Sequence, residues 1–198
     1  MIIGVTGSFG SGKTSVARMF AGLGAYIIDA DRICHSLMMP GKKVYKRIVR
    51  YFGNNILKDN REIDRKALAV IVFGQRSKLN LLNRLVHPEA IKEINKIICI
   101  NKNRKVVVID AALLVESNFY KDIDRLVVVR TNRDRQLKRI MRRSDMTQRE
   151  ILKRLGMQVP LKKKMVLADF IIDNSGSRSQ TLFQVEKIWK TLRSGLCQ

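Results

Sequence analysis

Residues Gly7-Ser8-Phe9-Gly10-Ser11-Gly12-Lys13-Thr14 follow the apolar run Ile2-Ile3-Gly4-Val5 and lead directly into the helical pattern Ser15-Val16-Ala17-Arg18-Met19-Phe20. The spacing G-x-x-x-x-G-K-T between a strand and a helix is that of a phosphate-binding loop. Glycines let the backbone curl so that several N–H groups converge on an anion, and the helix behind them adds its positive dipole end. Lys13 can reach the outer phosphates of a nucleotide, and the Thr14 hydroxyl is placed to ligate Mg²⁺. Gly10, Ser11, Gly12 and Ser15 complete the cradle. Such a loop works at the carboxyl end of a sheet strand, so it commits the chain to an α/β fold before any other residue is read.

The rest of the chain alternates accordingly. Short β-branched runs at residues 2–6, 25–28, 105–110, 125–130 and 170–173 are separated by helical patterns. This predicts a five-stranded parallel sheet flanked by helices, of the P-loop NTPase class. Residues 33–100 show helical patterns, for example 64–73 and 78–85, and no convincing strand; they read as a helical insertion. Residues 132–165 are helical and very basic, placed where small kinases carry a lid. The expected division is a core of 1–32, 101–131 and 166–198, with the insertion at 33–100 and the lid at 132–165. A final helix is expected over 178–193.

Composition narrows the partners. In 198 residues, 45% hydrophobic, there is room for one such domain with an insertion. Apolar stretches such as 67–73 are far too short to span a bilayer, and no charged leader precedes the first strand. Cys34, Cys99 and Cys197 lie far apart with no C-x-x-C spacing, which speaks against a disulfide framework or zinc site and fits a reducing cytoplasm. The net charge of +22 favours polyanionic partners, and thirteen of the 39 basic residues fall between Arg130 and Lys164 against three acids. Aromatic content of 6% is low for a base-stacking platform, so no specific nucleic acid is expected. The expected assembly is a monomer or weak homo-oligomer.

Several side chains could perform chemistry beside the loop. The second strand ends in Asp29-Ala30-Asp31, and a carboxylate at a strand's carboxyl end can take the proton of an attacking hydroxyl. One of the two reacts and the other braces or caps the next helix; Asp31 is the preferred base. Asp110 ends an apolar strand and could hold metal-bound water or contact the acceptor. His35 and His87 have no partners at metal-ligand spacing, and His87-Pro88 reads as a helix start. Arg135, Arg139, Arg142, Arg143 and Arg154 sit at helical spacings in the basic segment, where one or two forks could stabilise charge on a transferring phosphoryl group.

Taken in order, Thr6 to Thr14, Asp29-Ala30-Asp31 with His35, His87-Pro88, Asp110 to Glu116, Gln136-Leu137-Lys138-Arg139, Arg154-x-x-x-Gln158, Lys164, and Ala168-Asp169-Phe170-Ile171-Ile172-Asp173-Asn174-Ser175-Gly176 resemble the dephospho-coenzyme A kinase family over essentially the whole chain. Ser8 and Ala112 stand where that family commonly has Gly and Pro. The resemblance implies ATP as donor, Mg²⁺ as cofactor and dephospho-coenzyme A as acceptor, with phosphate passing to the ribose 3′-hydroxyl. By position it implies Asp31 as base, Lys13 and the loop on the ATP phosphates, Thr14 on Mg²⁺, and Arg139 with Arg143 from the lid. It further implies acceptor contacts at Asp29, His35, His87, Asp110, Leu113 and Glu116 and an adenine site at Asn174, Ser175 and Gly176, although a strand-to-helix turn also explains the last three. Another small-molecule P-loop kinase would share the loop and lid. A basic nucleic-acid-binding protein with a regulatory nucleotide is a reading from a different class. A GTPase is disfavoured, since Arg104 stands where Asn101-Lys102-Asn103 would need Asp and no D-x-x-G follows Asp110.

Overall fold

The computed structural model describes residues 1–144 and 146–194. Cys197 lies outside the described residues. Five strands form one all-parallel sheet: β1 (Ile2–Gly7), β2 (Tyr26–Asp29), β3 (Val107–Asp110), β4 (Arg125–Arg130) and β5 (Phe170–Asp173), in the order β2-β3-β1-β4-β5. β2 and β3 start one and two residues later than the apolar runs suggest. Tyr26 N–H already bonds to the Val106 carbonyl, so the ladder forms where the partner strand allows it.

By its contacts the chain divides into two compact units, one of residues 1–29 and 101–198 and one of residues 30–100. In the first, α1 (Lys13–Gly22) and α9 (Arg178–Ser194) pack on one sheet face, with Val16, Phe20, Val185 and Ile188 against Ile3, Val5, Val108, Val127 and Val129. Burying each such side chain contributes roughly 1.5–3 kcal/mol, so this layer fixes the sheet on which the loop is mounted. Gly4 has no room for a side chain because Leu114 and Ile123 press on it from the opposite face. Helices α6 (Arg133–Met141), α7 (Gln148–Gly156) and α8 (Leu161–Val166) follow β4, and a Thr147–Glu150 capping box starts α7.

The second unit consists of α2 (Ala30–Leu37), α3 (Lys43–Phe52), α4 (Arg65–Val72) and α5 (Arg76–Ile100), packed around Val44, Ile48, Ile56, Ile63, Leu68, Val72 and Val86. Asp64 caps α4, accepting from the Lys66 and Ala67 N–H groups at 2.9 and 3.3 Å. One expectation is corrected here. His87-Pro88 does not start a helix; it lies inside the 25-residue α5. An internal proline forfeits one N–H bond and costs about 3 kcal/mol. Val86, Ala90 and Ile94 are buried on either side of it, and α2 packs along the same helix, so tertiary packing offsets the break.

Candidate active site

β1 is the central strand, and the loop leaves its carboxyl end. Gly10 and Gly12 take φ of 79° and 88°, the left-handed region that a side chain would strain. At Gly12 the space is also closed, because a Cβ would run into the Asn174 amide nitrogen. Ser11 N–H bonds to the Ser8 carbonyl at 3.0 Å and closes the turn. Gly12 begins α1 without a side-chain cap, so the first turn of the helix presents backbone N–H groups to the hollow of the loop. Ser15 is exposed, and its N–H returns to the Gly12 carbonyl at 3.0 Å.

Sheet register brings the acids to this hollow. Val5 pairs with Asp110 across β1 and β3, and Asp110 pairs with Asp29 across β3 and β2, so both carboxylates share the level at which the loop begins. Asp110 is 3% exposed and its Oδ1 lies 3.4 Å from Lys13 Nζ. Asp29 is exposed at its strand end. Leu113 is half-buried in the segment after β3, and Glu116 closes that segment through an ion pair with Lys164 Nζ at 2.7 Å. Lys164 has no solvent exposure and donates to the Ala112 carbonyl at 3.0 Å. Burial pushes its ammonium group below its ordinary pKa, while Glu116 pulls it back up. The same carbonyl accepts from Thr6 Oγ1 at 3.2 Å.

The basic segment meets the loop directly. Arg139 Nη1 lies 3.4 Å from the Ser11 carbonyl and its Nη2 donates to the Asn174 carbonyl at 3.1 Å. Burial lowers the Arg139 pKa, and the neighbouring charges of Arg135 and Arg143 lower it further. Three guanidinium groups gathered this way form a field that an anion would relieve. Arg143 is exposed just beyond α6. Asn174 is buried, and both ends of its amide are engaged within the protein: Nδ2 donates to the Ser11 carbonyl at 2.8 Å and Oδ1 accepts from Thr181 Oγ1 at 3.1 Å. The Gly176 carbonyl accepts from Arg135 Nη1 at 2.7 Å. Beside it opens a depression of about 760 Å³ lined by Ser175, Gly176, Gln180 and Phe183, among others.

Asp31, His35 and His87 belong to the unit of residues 30–100. Asp31 and His35 are exposed one turn apart on α2, and His87 is half-buried in α5, the helix on which α2 packs. Sequence reasoning missed the ion pair of Lys164 and the contacts of Gln136, Gln158 and Thr181. The resemblance marked Gln136, Gln158 and Lys164 as positions but not what they touch, because local pattern in a polar helix gives no sign of a side chain's distant partner.

The family model described as dephospho-CoA kinase matches residues 1–180. A dephospho-CoA kinase of Carboxydothermus hydrogenoformans is 43% identical over 194 residues, covering 96% of this chain and 94% of that one. The solved structure of a dephospho-CoA kinase from Campylobacter jejuni superposes with a TM-score of 0.69 at 28% identity, covering 98% of both chains. A shikimate kinase from Acinetobacter baumannii shares the fold at a TM-score of 0.55 and 18% identity, covering 98% of this chain and 93% of that one.

Proposed function

This chain belongs to the dephospho-CoA kinase family, and from that premise we propose how its own residues carry the transfer. The reaction is the ATP-dependent phosphorylation of dephospho-CoA in coenzyme A biosynthesis. In this reading the acceptor is the ribose 3′-hydroxyl. Its oxygen bonds to the γ-phosphorus of ATP, the bond to the β-phosphate oxygen breaks, and the hydroxyl proton passes to the Asp31 carboxylate. Coenzyme A and ADP leave.

The observation that carries this reading is the loop itself. Its left-handed glycines, uncapped helix start and adjacent Lys13 form a receptor for a polyphosphate. Lys13 moves from Asp110 toward the β- and γ-phosphates. Arg139 and Arg143 neutralise charge that spreads over the equatorial oxygens of the transferring group, an effect worth factors of roughly 10³ or more in rate. Asp31 follows the end of β2 by two residues, the position at which α/β folds gather ligands. Asp29 braces it, and Asp110, Leu113 and Glu116 contact the acceptor, with His35 and His87 contributed by residues 30–100. Asn174 steadies the loop, and the depression at Gly176 suits a flat base.

Magnesium fits the donors present. The Thr14 hydroxyl is a hard oxygen ligand, the Asp110 carboxylate can hold a water on the cation, and a cation that travels with phosphates needs only one or two ligands from the protein. When bound, it supplies charge neutralisation at the phosphate oxygens.

Incubation with ATP, Mg²⁺ and dephospho-CoA, with the product identified by mass and by the position of its new phosphate, tests the whole reading. Asp31→Asn should lower kcat by about 10²–10⁴ while the affinity for ATP stays near that of the parent. Near-normal turnover in that variant would move the role to Asp29 or Asp110.

A further inference from the structure

Side chains from outside the phosphate loop hold it at Phe9. The Phe9 N–H donates to Gln158 Oε1 at 2.8 Å, and the Phe9 carbonyl accepts from Gln136 Nε2 at 2.6 Å. The Arg154 guanidinium lies 4.0 Å from the centre of the Phe9 ring. Gln136 is buried in α6, Arg154 is in α7, and Gln158 lies just past α7. Ile140 of α6 fills the space where a Cβ on Gly10 would stand, so the helix is seated on the loop. A glutamine amide can donate or accept, but a backbone N–H only donates and a carbonyl only accepts. The two glutamines therefore work with opposite polarity on one residue.

We propose that Gln136 and Gln158 are positioning residues that grip Phe9 from both sides, fix the leading half of the phosphate loop in its nucleotide-receiving shape, and tie that shape to the basic segment carrying Arg139. The proposal rests on the reading that this loop holds the ATP phosphates. Residue Gly10, next in the chain, carries the left-handed turn on which the cradle depends. Releasing either side of Phe9 frees that turn while leaving Lys13, Thr14 and the acceptor residues in place. The effect belongs to nucleotide binding and not to the acceptor.

Opposite polarity gives an asymmetric test. A carboxylate can still accept from the Phe9 N–H, so Gln158→Glu keeps its bond. At position 136 a carboxylate faces a carbonyl, so Gln136→Glu loses its bond and adds repulsion. The probe is a fluorescent N-methylanthraniloyl derivative of ATP with Mg²⁺, titrated into the full chain, alongside KM for ATP and for dephospho-CoA. Gln158→Leu, Gln136→Leu and Gln136→Glu should each weaken nucleotide binding about tenfold, the size expected for one lost hydrogen bond. Gln158→Glu should stay within about threefold of the parent, and KM for dephospho-CoA should move less than twofold in all four. If Gln158→Glu is as damaging as Gln158→Leu, or if Gln136→Glu binds like the parent, the grip is not what shapes the loop. Gln158 is only half-buried, so its pair of variants decides the matter even where a change at Gln136 prevents folding. A parent protein that fails to bind the probe would sink the proposed function; a parent that binds while the variants match it would sink this inference alone.

Discussion

At the scale of single residues, the sharpest feature is a buried lysine whose partners the sequence does not announce. Lys164 is fully enclosed, bonded to one oxygen of Glu116 and to the Ala112 carbonyl, and Glu116 Oε1 accepts in addition from the Val159 N–H at 3.1 Å. Among the described residues the second oxygen of Glu116 is buried with no hydrogen-bond donor, so Lys164 and the Val159 N–H together satisfy this carboxylate through its other oxygen. Removing one member of a buried pair strands the other, at a cost of about 3–5 kcal/mol, whereas removing both is far milder. Lys164→Met should therefore lose about that much stability in urea titrations, and Lys164→Met with Glu116→Gln should recover most of it. Equal losses in the single and double variants would mean that the pair does not act as a unit. Asn174 teaches a similar lesson. Its position after β5 is legible from sequence, but its service to the Ser11 carbonyl comes from a residue 163 positions away.

Among the elements, strands were the most legible. Runs of Val and Ile bounded by Asp or Arg match β4 and β5 at their observed limits; β4 is buried on both faces, whereas edge strand β5 leaves Ile171 exposed, and β-branched residues mark both. Helix α5 was the least legible, because Pro88 reads locally as a boundary and only the packing of Val86, Ala90 and Ile94 carries the helix through it. The end of β4 is fastened to the end of β5 by Arg130 and Asp173, 2.6 Å apart. The hydroxyl and backbone N–H of Ser175, together with Arg130, hold the Asp173 carboxyl below its ordinary 3.8. A carboxylate with a depressed folded pKa stabilises above its unfolded value and loses that contribution as pH falls through the folded one. Asp173→Asn should be less stable than the parent at neutral pH, and chemical denaturation should show the gap closing below pH 3.8. A gap that persists in strong acid would assign the loss to packing instead.

For the whole molecule, a net charge of +22 favours the two polyanionic substrates of the family. Such a field raises encounter rates, and salt screens it over about 10 Å at 0.1 M. Raising ionic strength from about 0.05 to 0.5 M should lower kcat/KM for both ATP and dephospho-CoA several-fold; insensitivity would mean that the charge serves no steering role. Among the described residues no helix is long and apolar enough to cross a membrane. What the chain settled by itself was local: a loop whose glycines, lysine and threonine stand in fixed order, strands announced by β-branched runs, and carboxylates at their ends, all dictated by short-range sterics and side-chain chemistry. Tertiary structure alone decided what Gln136, Gln158 and Lys164 hold, and that a proline could sit in mid-helix. Those contacts join groups as much as 149 residues apart, and sheet order, not local pattern, determines which distant side chains a backbone group will meet.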